Sequence, residues 1–354
     1  MSETLLPEPL RLLTTQADLQ YHAAAARGIF NPPAATGMGF WSVNPYVGCA
    51  FGCAYCYARD THRYSIERAG AVGERVTASL PPWLAFERRV LVKEHAGARV
   101  REALRSSRAP RAGDSLVIGS ATDPYQPAER RFRVTRDVLE ALAEVQRLSI
   151  VIITKSPLVT RDIGVLQQLA QRNTVQVHLS LITVDRELAR RLEPRAPTPE
   201  ARLRAVRRLA DAGLDVSVNC MPVLPGITDR PGMLEALVAQ VAAAGARSLG
   251  ACALRLRAAS RRRYLPVVRE QFPELAARYE QTYRHSVYAS DGYRAGLQEY
   301  METLCAKYRL RTRTYRRDGE QEPARGPGNA KGRTKDSEEE ISNTVTFVRQ
   351  LSLF

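Results

Sequence analysis

The feature that most constrains this chain is an alternation of strand-like and helix-like segments running from about residue 41 to about residue 283. Apolar, β-branched runs stand at 43–47, 88–93, 116–120, 149–154, 174–182, 215–220 and 247–254. Between and after them lie segments with helical periodicity, at about 95–107, 134–147, 158–171, 185–192, 199–212, 231–244 and 261–283. Strands separated by helices of that length imply right-handed βαβ units and a parallel sheet. About six such units suit either a partial (β/α)6 barrel or an open doubly wound sheet. In both arrangements chemistry belongs at the C-terminal ends of the strands, where the connecting loops converge.

The first of those strand ends carries the run Asn44-Pro-Tyr-Val-Gly-Cys-Ala-Phe-Gly-Cys-Ala-Tyr-Cys-Tyr57. Cys49, Cys53 and Cys56 are spaced C-x3-C-x2-C, with Tyr55 just before the last. Iron–sulfur clusters usually take four cysteine ligands. A loop offering three can hold three corners of a [4Fe–4S] cube and leave the fourth iron open to a small molecule. A structural zinc loop is the competing reading, since Cys53 and Cys56 have knuckle spacing and His62 could add a ligand. It is the weaker one, because no second Cys/His pair lies at the usual distance. The remaining cysteines, Cys220, Cys252 and Cys305, are scattered, which argues against a disulfide framework.

Composition bounds the setting. Of the 354 residues, 44% are hydrophobic, as in soluble globular proteins, and no apolar run reaches the roughly 18 residues needed to span a bilayer. No export signal is evident at the N-terminus, so a cytoplasmic location without a membrane role is expected. Lys and Arg number 52 against 37 Asp and Glu. That balance is compatible with a nucleic-acid partner, because neutralising phosphates releases counterions.

The cysteine spacing resembles that of the radical S-adenosylmethionine (radical SAM) superfamily. The resemblance narrows through Ala121-Thr-Asp-Pro-Tyr-Gln-Pro-Ala-Glu129, Thr154-Lys-Ser-Pro157, Leu192-Glu-Pro-Arg-Ala-Pro197 and Pro222-Val-Leu-Pro-Gly-Ile-Thr-Asp229. These segments look like the branch related to spore photoproduct lyase, and resemble its uncharacterised members more than the lyase itself. The resemblance covers about 40–260. It implies a partial (β/α)6 TIM-like barrel at 41–285, a [4Fe–4S] cluster held by Cys49, Cys53 and Cys56, and S-adenosyl-L-methionine chelated to the open iron. It also implies reductive cleavage of that cofactor to a 5′-deoxyadenosyl radical, a low-potential electron donor such as flavodoxin or ferredoxin, and DNA as the substrate.

The resemblance also assigns cofactor contacts. Ser120, Thr122 and Asp123, closing the strand at 116–120, would accept from the methionine amino group. Ser180 and Arg195 would meet its carboxylate and ribose, Arg through its two-pronged guanidinium. Gly226 would let backbone approach the adenine, and Tyr55 would offer its ring or backbone there. Lys155 can face the same mouth. Cys220, ending the strand at 215–220, is the candidate thiol for returning a hydrogen atom to a product radical. Cys252, inside an apolar strand, reads as core.

Outside the barrel, residues 1–40 read as an irregular N-terminal strap and 286–310 as a helical extension with a helix at 294–307. Residues 311–344 read as a charged, disordered linker. The last residues, 345–354, turn apolar again. There Gln350, Leu351, Leu353 and Phe354 resemble the short peptide by which bacterial proteins dock on the DNA sliding clamp. Two other functions compete: radical modification of RNA or protein, and a non-enzymatic DNA-associated adaptor with a structural metal site.

Overall fold

A computed structural model describes residues 12–16, 18–25, 28–62, 80–106 and 109–313. Its backbone is an eight-stranded sheet with strand order β12-β11-β10-β9-β8-β7-β4-β3. The strands are β3 (Phe30–Asn31), β4 (Trp41–Val43), β7 (Ser115–Ile118), β8 (Ser149–Thr154), β9 (Thr174–Ser180), β10 (Asp215–Val223), β11 (Ser248–Ala253) and β12 (Arg311–Arg313). From β4 through β12 every neighbouring pair is parallel; β3 alone runs antiparallel, against β4. The six strands β4, β7, β8, β9, β10 and β11 lie side by side in chain order, as a partial (β/α)6 barrel of the TIM-like kind requires.

Alternation along each strand sorts the side chains onto two faces. Val177, Leu179, Val216, Val218 and Leu249 are fully buried in the core under the helices. The opposite face is concave, and on β9, β10 and β11 it is polar. There Gln176 Nε2 donates to Asp215 Oδ2 at 3.0 Å, and Ser248 Oγ meets Ser217 Oγ at 2.8 Å. His178, Ser180 and Asn219 share that face further along β9 and β10, while β8 turns Val151 and Ile153 onto it, in register with Gln176 and His178. An inner face that carries polar groups has reason to hold a ligand, whereas a close-packed apolar one does not.

The helices follow from ordinary signals. Thr198 caps Pro199–Asp211 with Pro at its first position, Asp185 accepts from the Glu187 and Leu188 amides to start Arg186–Leu192, and Ser290 caps Asp291–Lys307. The segment expected as one helix over 261–283 is two, Ala258–Gln271 and Pro273–Thr282. Pro273 disfavours helical backbone at Phe272, which stands at φ −144°.

Three further expectations are corrected. The N-terminal strap is not irregular where it is described. It supplies β1 (Leu12–Gln16), β2 (Leu19–Ala25) and β3. The β2 sequence LQYHAAA holds no β-branched residue, so its strand character comes from pairing with β6 (Arg89–Glu94) rather than from propensity. The strand read at 88–93 is real but belongs to a separate four-stranded sheet of order β1-β2-β6-β5, where β5 is Tyr46–Val47. The linker does not begin at 311, because Arg311–Arg313 pairs in parallel with β11. The rest of the linker and the peptide at 345–354 lie outside the described residues. Among the described residues no helix is long and apolar enough to cross a membrane.

Candidate functional site

The cysteine loop leaves β5 and is pinned along its whole length. Cys49 N donates to Phe86 O at 2.9 Å, Ala50 N to Gln126 Oε1 at 2.9 Å and Ala54 N to Leu192 O at 2.9 Å. Arg195 Nε donates to Ala50 O at 2.5 Å, and a second guanidinium nitrogen to Glu87 O at 3.3 Å. From the other side Arg59, whose side chain is fully buried, donates to Cys53 O at 3.0 Å and pairs with Glu87. Two glycines let the loop pass. Gly48 has φ +85°, and a Cβ there would lie 2.7 Å from Phe86 O; Gly52 has φ +66°, with the Arg195 guanidinium 2.4 Å from its Cβ position. A loop held this way presents its thiols in one preset arrangement rather than gathering them on demand.

The donor set suits an iron–sulfur cluster. All three thiols lie in a protein-enclosed recess. Burial pushes Cys49 up to about 12, with the nearby Asp123 and Cys56 charges adding to it. Burial likewise raises Cys53 well above, and Cys56 above, the usual thiol value. The countervailing charges, Lys155 for Cys53 and Arg59 for Cys56, do not offset it. Three crowded thiolates therefore need cationic iron to be stable there. His62, the extra ligand of a zinc reading, is packed edge-on against Phe86 at 5.3 Å.

Beside the loop lies a buried charged hub that sequence reasoning did not assign. Glu193 accepts from the Tyr55 hydroxyl, pairs with the buried Arg202 and stands 3.7 Å from Lys155 Nζ. Arg202 also donates to Pro197 O at 2.9 Å and Ser180 O at 3.1 Å. Burial alone would raise the Glu193 carboxyl, but Arg202 and then Lys155 outweigh it and hold it below the ordinary value. The Lys155 ammonium lies 5.8 Å from the Tyr55 ring centroid. Glu193 opens the Glu-Pro-Arg-Ala-Pro segment and Arg202 lies five residues past its end. The signal that could have found them was two opposite charges nine residues apart around a helix N-cap.

The expected cofactor contacts distribute unevenly. Ser180 lies on the concave face at the end of β9, and Lys155 follows the end of β8, so both reach the mouth. Tyr55 is buried against Glu193. Thr122 Oγ1 donates to Gly48 O at 2.5 Å and Gln126 supports both, so Thr122 holds the loop. Asp123 accepts from Tyr125 N at 2.9 Å, Thr154 Oγ1 at 2.6 Å and Lys155 N at 2.8 Å, which ties the ends of β7 and β8 together. Ser120 Oγ accepts from Asn44 at 3.3 Å, and its carbonyl accepts from the Tyr57 hydroxyl. Arg195 is engaged with the cysteine loop. At Gly226, with φ +74°, the space a Cβ would take belongs to Leu275 at 3.2 Å, so the turn faces a helix.

The two cysteines exchange roles. Cys220 is fully buried on the apolar face, and the thiols whose charges act on it include Cys305 of the Asp291–Lys307 helix. Its strand parity is opposite to that of Asn219, so it does not face the concave side. Cys252, expected in the core, is solvent-exposed two residues beyond Gly250, which is in register with both Asn219 and Arg313. Burial nonetheless pushes its thiol up to about 11. Arg313 reaches across from β12 to donate to His178 Nδ1 at 3.0 Å and to Asn219.

A parallel partial barrel with a three-thiol loop at the end of its first strand defines an enzyme that works through an iron–sulfur cluster. The chain belongs to the Radical SAM superfamily, which it matches over residues 43–237. That family implies a [4Fe–4S] cluster and S-adenosylmethionine. The chain is 35% identical over 294 residues to an uncharacterised protein of Mycobacterium tuberculosis, covering 82% of each chain. It is 27% identical over 188 residues to an uncharacterised protein of Methanocaldococcus jannaschii, covering 53% of this chain and 61% of that one. Among solved structures it resembles a spore photoproduct lyase variant with dinucleoside spore photoproduct (TM-score 0.58, 14% identity, 84% and 85% covered). It also resembles another variant with bound AdoMet and dinucleoside spore photoproduct (TM-score 0.56, 14% identity, 81% and 79% covered).

Proposed function

We propose that this protein is a radical SAM enzyme acting on DNA, in lesion repair or nucleobase modification. When bound, the cluster and S-adenosylmethionine supply reductive cleavage to a 5′-deoxyadenosyl radical that abstracts a hydrogen atom from substrate. The observation that carries the reading is the preset cysteine loop at the mouth of a barrel whose concave face is polar on β9, β10 and β11. Its likeness in fold to a spore photoproduct lyase with dinucleoside spore photoproduct supports nucleic acid as the target.

The chain's own residues divide the work. Cys49, Cys53 and Cys56 hold the cluster, while Arg59, Arg195, Thr122 and Gln126 position their loop. The Tyr55–Glu193–Arg202–Lys155 hub fixes the mouth beside them and places an ammonium there. Ser180 and Lys155 are the groups facing a bound cofactor. A thiol that returns a hydrogen atom to product, expected at Cys220, is instead available at Cys252. The peptide at 350–354 would hold the enzyme at the sliding clamp, raising its effective concentration on DNA; deleting it should abolish co-purification with the clamp.

Anaerobic reconstitution tests the chemistry. The expected result is four irons per chain and 5′-deoxyadenosine on reduction with cofactor, both lost in Cys53→Ala. One zinc and no cofactor cleavage would refute it. Incubation with defined damaged DNA then tests the substrate.

A further inference from the structure

We propose that an arginine ridge running from Arg255 to Arg262 beside the barrel mouth binds the phosphodiester backbone of a nucleic-acid strand. The ridge spans the turn after β11 and the first turns of the Ala258–Gln271 helix. Arg257 stands at the N-cap, Arg261, Arg262 and Arg263 follow within six residues, and no acidic residue occupies the first turn. Arg257 at the N-cap opposes the helix macrodipole, so the helix itself does not favour a cation there.

The fold itself does not neutralise these charges. Two of the helix's first amides are taken by Asp60, which accepts from Ala259 N at 2.7 Å and Ser260 N at 3.3 Å, and from the Ser260 hydroxyl at 2.7 Å. Among the described residues only Arg263 forms an ion pair, with Glu87 at 3.5 Å. Arg261 donates to the Tyr283 carbonyl at 2.7 Å, which fixes its direction and leaves its charge. Arg257 and Arg262 are exposed.

Aromatic faces interleave the arginines. The Arg262 guanidinium lies 5.3 Å over the Trp83 ring, and Arg255 lies 5.4 Å over Tyr288. Guanidinium forks fit phosphate oxygens, and guanidinium–aromatic pairs offer planes on which bases stack. An acidic protein would use the charge but has no need of the planes. Location completes the case. Asp60 lies four residues beyond Cys56, so its bonds to Ala259 and Ser260 fasten the ridge to the cysteine loop. A strand lying on the ridge would run past the mouth.

The inference rests on the proposed function only in its choice of DNA as first probe, and the test separates the two. Anisotropy of a fluorescent single strand of about 16 nucleotides is followed on the reconstituted enzyme from about 50 to about 200 mM salt. Four arginine–phosphate contacts at a slope of about −0.7 each predict a log–log slope near −2.8. Arg257→Gln with Arg262→Gln should make it shallower by about 1.4, so that affinity falls about 7-fold less across that range. Arg204→Gln with Arg208→Gln, equal in charge but on another helix, should leave the slope unchanged. An unchanged slope in the first variant, or an equal change in the second, overturns the ridge and leaves the DNA reading intact. If an RNA strand of the same length and label binds with the expected slope change and the DNA strand does not, the ridge is supported and DNA is overturned as target. Displacement of the strand by polyglutamate at equal charge overturns nucleic-acid recognition by the ridge. No binding of either strand overturns both proposals.

Discussion

Replacing Glu193 by Gln removes one charge from a hub that reaches water only through Lys155, whose side chain is 15% exposed. Glu193 is fully buried and is held by Arg202, whose side chain is 2% exposed, with Lys155 and Tyr55 completing its contacts. Breaking a buried pair from one side costs about 3–5 kcal/mol, because the remaining charge stays desolvated. Gln keeps the shape and can still accept hydrogen bonds, so the low end applies, about 3 kcal/mol. In a chain of this size about 2 °C of melting temperature accompanies each kcal/mol, giving a fall of about 6 °C. The pH dependence carries the same signature. A carboxyl held below its ordinary value contributes stability that is fully present above that value, near 4.5, and is lost as pH falls through the folded value. Wild type should therefore lose this contribution on acidification below about pH 4.5, and Glu193→Gln should lack that component of the loss. Calorimetry of the apo protein across acid pH measures both, and iron content after reconstitution reports whether the loop still assembles. A variant that melts within about 1 °C of wild type and loads four irons would refute the reasoning.

Other substitutions test the remaining geometry. Gly48→Ala places a Cβ 2.7 Å from the Phe86 carbonyl at φ +85°, where neither backbone can yield. It should lose cluster loading in an iron assay while the circular dichroism of the barrel persists. With Cys49, Cys53 and Cys56 replaced by Ala, Cys252 alone should react with a thiol reagent under native conditions. Cys220 and Cys305 should react only after denaturation, and rapid native labelling of Cys220 would contradict the assigned strand faces. Arg59→Met should destabilise by about 3 kcal/mol or less in chemical denaturation, since it takes the buried partner from Glu87 and leaves it only Arg263 at 3.5 Å and Arg195 at 3.9 Å.

Much of the architecture was legible in local pattern. The strands at 149–154, 174–182 and 215–220 reappear as β8, β9 and β10, because runs such as Ser149–Thr154 combine β-branching with short length. The N-terminal strands were not legible. Leu19–Ala25 has the composition of a weak helix and becomes a strand only because β6 offers it an edge. Asp123, Thr122 and Arg195 read from the sequence as cofactor contacts. Their bonding to Lys155, Gly48 and Ala50 could not be read from their spacing, since those contacts close across 32 to 145 residues.

The sequence by itself determined what depends on neighbours along the chain: the spacing of Cys49, Cys53 and Cys56, the alternation of strand and helix, and the basic charge. Only the tertiary structure decided which groups face the same space. Cys220 and Cys252 are both strand cysteines, and nothing local distinguishes them. Strand parity and register send one beneath the helices and the other to the concave face, because a side chain's environment is set by the strand beside it. Arg195 and Glu193 are likewise placed by partners more than 100 residues away, at the point where their chain segment packs against the cysteine loop.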